Sequence, residues 1–247
     1  KKMYKHLRPF YKEIRKITRK TYVNLSDILL ESLKGFTISE KTLINRYTLL
    51  NPEHIEPYYN NNQSLVGVAA HYGNWEWGAL AGALQIKHLP VAFYKPLSNK
   101  YIDRFIKKSR TENGTFLKSI FHTSQTFENF RDKNCLFIMV ADQSPANTSQ
   151  AYWVDFFGQK TACLHGPEKH ARNNNFAVIY MDIQRTTRGH YTVEFSTLVE
   201  NPEQMEEGQI TQTYIKRLEH VIRNKPEDWL WSHKRWKKKP ENTQQDK

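Results

Sequence analysis

A chain of 247 residues can bury one substantial core, and its 13% aromatic content excludes a disordered protein. The formal charge of +12 gathers at the two ends: residues 1–20 hold nine Lys and Arg against one acid, residues 216–239 hold nine against three, and the remainder is close to neutral. Two basic segments on a near-neutral body point to docking on a polyanion, either nucleic acid or an anionic membrane surface, with two merely solvated segments as the alternative.

Residues 1–50 read as a helical N-terminal part. Val23, Leu25, Ile28, Leu29, Leu33 and Phe36 keep helical spacing, Gly35 is a stop signal, and Asn51-Pro52 breaks the pattern. After the Asn60-Asn61-Asn62 loop, LVGVAA (65–70) reads as a buried strand, and the Ala- and Leu-rich WEWGALAGAL suits a tightly packed helix. LPVAFY (89–94) is a second strand, followed by a helix through Tyr101, Ile102, Phe105 and Ile106 and another from Ser124 to Phe130. CLFIMVA (135–141) is the clearest buried strand. FAVIYMDI (176–183) and HYTVEFSTL (190–198) flank a Thr187-Arg188-Gly189 hairpin turn, and 210–222 forms an amphipathic helix. Strands alternating with helices predict an α/β fold: a mostly parallel mixed sheet flanked by helices, with a helical N-terminal segment, in a single domain over 1–247.

Cys135 and Cys163 fall in different predicted segments without a CxxC partner, which argues against a disulfide framework or zinc ribbon and fits a reducing compartment. No apolar run reaches the ~18 residues a spanning helix needs. The first residue is Lys rather than Met, so the natural N-terminus is expected to lie upstream.

The candidate chemistry is in VAAHYGNWEWGAL (68–80). His71 ends a predicted strand, Gly73 permits a turn, Asn74 suits an N-cap and Glu76 falls in the first helical turn. A spacing of five does not share a face of a continuous helix, but a strand–loop–helix junction can fold the two side chains together. Ligands bind at the carboxyl ends of strands in open α/β sheets, and a carboxylate beside an imidazole fixes its tautomer. The pattern therefore reads as a general base, His71, oriented by Glu76. Simple capping of the helix is the alternative; a metal site is disfavoured, since no second ligand lies nearby.

HYGNWE fits the His-x4-(Asp/Glu) block of the glycerolipid acyltransferases. With YKPLSNKYIDRFIKKSR, MVADQ, FFGQKT and PEDWLWSHKRWK, in that order over roughly 20–238, the chain resembles the lauroyl- and myristoyl-type acyltransferases of bacterial lipid A biosynthesis. It departs from them after FFG, where the family usually has Pro-Ala and several threonines but Lys160, Thr161, Cys163, Leu164 and His165 precede Gly166. The resemblance implies a glycerolipid-acyltransferase-like fold, His71 as base with Glu76 as its partner, and Arg110 and Asp142 as further active-site residues. Asn74 joins Arg110 and Asp142 as a candidate substrate contact. From the residues alone, Asp142 could equally start a turn before Ser144-Pro145, and Arg110 could be one member of a basic solvated helix face.

The resemblance further implies acyl carrier protein or acyl-CoA as donor, a membrane-lipid acceptor, no cofactor beyond that thioester co-substrate, and an N-terminal anchor holding the protein at the cytoplasmic face of the bacterial inner membrane. No Ser or Cys lies in a G-x-S-x-G setting, so direct attack is expected rather than an acyl-enzyme. Trp229, Trp231 and Trp236 among Lys234, Arg235 and Lys237–Lys239 suit an anionic membrane surface, with core packing of Trp229 and Trp231 as the alternative. Nucleic acid is not expected, as no helix-turn-helix, zinc-finger or RNP signature is present. A lysophospholipid or aminolipid acceptor is the nearest rival, and a non-enzymatic basic module is a more distant one.

Overall fold

The computed structural model describes residues 8–240; residues 1–7 of the basic N-terminal run lie outside the described residues. The first half of the chain forms α1 (Arg8–Lys34), α2 (Glu40–Arg46), β1 (Tyr47–Leu49), α3 (Glu56–Asn60), β2 (Leu65–Ala69), α4 (Trp75–Ala81), β3 (Leu89–Tyr94), α5 (Lys100–Thr111) and β4 (Phe116–Ser119). The second half forms α6 (Thr123–Asn129), β5 (Cys135–Val140), β6 (Tyr152–Phe156), β7 (Gln159–Cys163), α7 (Gly166–Asn174), β8 (Val178–Thr187), β9 (His190–Val199) and α8 (Gln209–Asn224).

Seven strands make one sheet in the order β1-β9-β8-β2-β5-β3-β4. The pairs β8·β2, β2·β5, β5·β3 and β3·β4 are parallel. The Arg188-Gly189 turn, with Gly189 at φ 74°, returns β9 antiparallel to β8, and β1 lies parallel to β9. The expected mostly parallel α/β sheet is therefore present, with a reversed pair of strands at one edge.

At the centre of the sheet, with helices on both faces, β2 buries every residue, which is why it reads as a continuous apolar run. Its alternation still sorts side chains between two cores. Val66 and Val68 join Phe137, Val178 and Tyr180 beneath Tyr214, Ile215 and Leu218 of α8. Leu65 joins Leu136 and Ile179 beneath Leu43 of α2 and Trp77 and Leu80 of α4. Gly67 in mid-strand reflects close approach, since a Cβ there would sit 3.0 Å from the Met181 sulfur.

The predicted strands at 65–70, 89–94, 135–141, 176–183 and 190–198 all correspond to members of this sheet. The helical expectation for 1–50 fails at its end, where Tyr47–Leu49 pair with β9 as β1, and no element was expected at α3, β4, the β6–β7 hairpin or α7. β1 and β4 have three and four residues, too few to display a period. In α7, Pro167, Glu168, His170 and Ala171 are the buried residues, so its inward face is partly polar and carries no apolar stripe. Glu168 is nonetheless satisfied, accepting from the Thr211 backbone N–H at 2.8 Å and the Thr211 hydroxyl at 2.7 Å in the first turn of α8.

Candidate active site

The β2–β5 ladder pairs Leu65 with Leu136 and continues in constant register to Ala69 with Val140. The Ala141 N–H to Ala69 carbonyl bond (3.1 Å) carries it one step further. Extended by one more residue, that register sets His71 beside Asp142, both just beyond the carboxyl ends of their strands. The His71 Nδ1 to Asp142 Oδ1 distance is 2.6 Å. Asp142 is buried, and its other oxygen, Oδ2, accepts from Trp229 Nε1 at 2.9 Å.

Burial pushes the Asp142 carboxyl upward, but the hydrogen bonds from His71 and Trp229 and the charge of His71 outweigh it and hold the group below the usual carboxylate range. An ionised carboxylate facing Nδ1 places the imidazole proton on Nδ1 and leaves the Nε2 lone pair available. Gln143 Nε2 lies 3.3 Å from that Nε2, and the His71 side chain is 21% exposed.

Glu76 does not pair with His71. Asn74 caps α4 by accepting from the Trp77 N–H at 2.9 Å, and Gly73, at φ 59°, turns the chain into that cap. The helix so started places Trp75 between the two expected partners. Its ring lies edge-on to His71 with centroids 5.1 Å apart, while its Nε1 donates to Glu76 at 3.2 Å. Glu76 is instead ion-paired with Arg110 of α5. A carboxylate with an arginine fork in reach takes that partner in preference to an imidazole beyond an indole. Four of the candidate residues thus form two pairs, His71–Asp142 and Glu76–Arg110, joined through Trp75.

Asn74, expected to touch substrate, is fully buried, and its side chain is spent within the fold: the oxygen caps α4 and Nδ2 donates to Glu31 at 2.7 Å. Glu31 also accepts from the Tyr191 hydroxyl at 2.7 Å, and its carbonyl accepts from Trp77 Nε1 at 2.8 Å. Asn74 therefore ties α1 to the His71 bend and is a structural cap.

The C-terminal segment closes over the bend. The Leu230 N–H donates to the His71 carbonyl and the Gly73 N–H to the Asp228 carbonyl, both at 3.0 Å. Trp229 is buried, Trp236 stacks on Phe156 at 5.6 Å, and the buried Arg235 donates to the Ala162 carbonyl at 2.7 Å and to the Cys163 sulfur at 2.9 Å. Core packing is thus correct for Trp229 and wrong for Trp231, which is 39% exposed. Most of the aromatic content attributed to a bilayer contact holds the site together instead.

Sequence reasoning did not identify Trp229, Gln143 and Trp75 as site residues. The available signal was their place in the motif blocks that carry the resemblance: Trp75 in HYGNWE, Gln143 in MVADQ and Trp229 in PEDWLW. Replacing Trp229 with Phe should keep the packing on Phe156 but leave a buried carboxylate oxygen without its donor. The expected loss is about 1–3 kcal/mol in denaturant unfolding.

An apolar groove of about 610 Å³ adjoins the site between α1 and the C-terminal segment, with Ile17, Leu25 and Ile28 on one wall and Trp75, Trp229 and Leu230 on the other. Trp75 and Trp229 thus face both the groove and the His71–Asp142 pair. Among the described residues, no helix is long and apolar enough to cross a membrane.

A search of curated proteins gives no match. The model of the bacterial lipid A biosynthesis acyltransferases matches residues 10–238, which span every strand and helix that builds the site. The chain belongs to the bacterial lipid A biosynthesis acyltransferase family and is an acyltransferase.

Proposed function

We propose that the protein moves a fatty acyl group from a carrier thioester, acyl carrier protein or acyl-CoA, onto a hydroxyl of a lipid A precursor at the cytoplasmic face of the inner membrane, with His71 as general base. The observation that carries this reading is the in-register His71–Asp142 pair, 2.6 Å apart, on a His71 side chain that is 21% exposed. In the proposed step Nε2 takes the proton from the acceptor hydroxyl as its oxygen attacks the thioester carbonyl. The imidazolium that forms is stabilised by Asp142. When the tetrahedral intermediate collapses, the carbon–sulfur bond breaks and the imidazolium returns its proton to the departing thiolate.

The groove behind Trp75 and Trp229 falls within the usual size range of small-molecule sites and is the proposed seat of the acyl chain. Arg110, held by Glu76 at the same rim, has guanidinium N–H donors beyond those one carboxylate uses and is proposed to hold a phosphate of the acceptor or carrier.

The test is an acyl-transfer assay of the full chain with carrier thioesters, offering lipid A precursor and lysophospholipid in parallel. The reading predicts acyl ester on the lipid A precursor with one thiol released per transfer. Transfer confined to the lysophospholipid would refute the acceptor assignment.

A further inference from the structure

The helix α5 is oriented opposite to a water-facing helix. Its inward side is largely polar: Asp103 accepts from the Tyr94 hydroxyl at 3.0 Å and from the Leu97 N–H at 2.8 Å, and Arg110 pairs with Glu76. Its apolar side faces out, with Tyr101 85%, Ile102 49% and Phe105 59% exposed. None of its side chains is fully buried. A soluble amphipathic helix turns its apolar stripe inward, so an outward stripe needs a non-aqueous neighbour.

The position of that stripe is not arbitrary. β3 and β4 run parallel to β5, so the segments that follow them emerge at the rim that carries His71 and Asp142. Leu97 before α5 and Ile120 and Phe121 after β4 are exposed there too. Phe36, just beyond α1, packs on Phe105 with ring centroids 4.7 Å apart, linking the patch to the exposed Leu29 and Leu33.

Cations flank the apolar residues. Lys95, Lys100, Arg104, Lys107 and Lys108 are all exposed, while Asp103, the one acid within α5, is committed inward. Apolar and aromatic side chains set among lysines, on a helix that does not need them for its own core, fit a surface with anionic headgroups above hydrocarbon.

We infer that the N-terminal half of α5 and the segment after β4 form the face on which the protein seats on an anionic bilayer, directing the His71 rim toward the membrane. The inference deepens the proposed function by supplying the route by which the lipid acceptor reaches His71. Binding itself does not require that reaction.

Sedimentation of the full chain with phosphatidylglycerol vesicles and with phosphatidylcholine vesicles tests it, using the parent and the double variant Ile102→Ser/Phe105→Ser. Phosphatidylglycerol should be favoured, and the double variant should lose roughly 10- to 100-fold in partitioning. Its unfolding midpoint and its rate on a detergent-dispersed acceptor should match the parent, since neither side chain belongs to the site. His71→Ala should bind vesicles like the parent, which separates failure of docking from failure of the catalytic reading. Equal binding to both lipids, or undiminished binding by the double variant, would overturn the inference. So would a parent dimer that the double variant converts to monomer without a change in vesicle binding, since the face would then join two copies of the chain.

Discussion

His71→Ala should lower acyl transfer by about 10²–10⁴-fold, the usual contribution of a positioned general base. The loss should fall on kcat and kcat/KM together, because the base acts only as the acceptor proton moves in the transition state. Alanine also deprives the buried Asp142 of one of its two donors, so some stability is expected to go with it. His71→Asn separates the two effects: its amide can still donate toward Asp142 but cannot take a proton. It should fold like the parent and remain as inactive as the alanine variant. Transfer at near-parental rates by either variant would remove His71 from the mechanism.

The second large effect should be at position 142 rather than 76. In Asp142→Asn the two side-chain atoms are no longer equivalent. Trp229 Nε1–H can only donate, so the amide oxygen must face it and the amide NH2 must face His71. His71 Nδ1 then becomes an acceptor, the ring proton moves to Nε2, and the base is blocked. A rate loss on the order of 10²–10⁴-fold is expected, with KM little changed. Adding Trp229→Phe frees the amide to turn and should restore part of the rate, a rescue that a merely structural aspartate would not show.

Glu76→Gln changes a residue whose partners are Arg110 and Trp75, so its effect should be much smaller and fall mainly on KM. A Glu76→Gln loss equal to that of Asp142→Asn would restore the His71–Glu76 pairing that the sequence suggested.

Position 142 also carries a pH signature. A carboxyl held below its unfolded value stabilises the fold above that value and loses this contribution as pH falls through the folded one. Stability of the parent should therefore decline on the acid side more steeply than that of Asp142→Asn.

Much of the architecture was legible because buried parallel strands advertise themselves. Residues 65–70, 89–94 and 135–141 are apolar runs bounded by loops, and β3 forms over the stretch named in advance. The residues at the ends of those strands, His71 and Asp142, were also visible as candidates. Their partnership was not, because strand order and register are properties of the assembled sheet: nothing in LVGVAA or CLFIMVA says that they are neighbours, or that Leu65 meets Leu136.

The short sequence distance from His71 to Glu76 was misleading for a local reason. Gly73 and the Asn74 cap start α4 so that Trp75 fills the space between them. The tryptophans near 229–236 misled for another reason. Indole beside lysine has the same composition whether it packs inward or faces lipid, and only the fold shows that Trp229 is buried against Asp142 while the outward apolar stripe belongs to α5.

Nitrogen-15 NMR of the imidazoles in the resting protein, with His71 assigned by comparison with His71→Asn, reads the His71–Asp142 pairing at its proton. The His71 ring should be protonated at Nδ1, with that proton shifted downfield by Asp142, Nε2 unprotonated, and the pattern unaltered in Glu76→Gln. A ring protonated at Nε2, or an Nδ1 proton that persists in Asp142→Asn and vanishes in Glu76→Gln, would contradict that pairing.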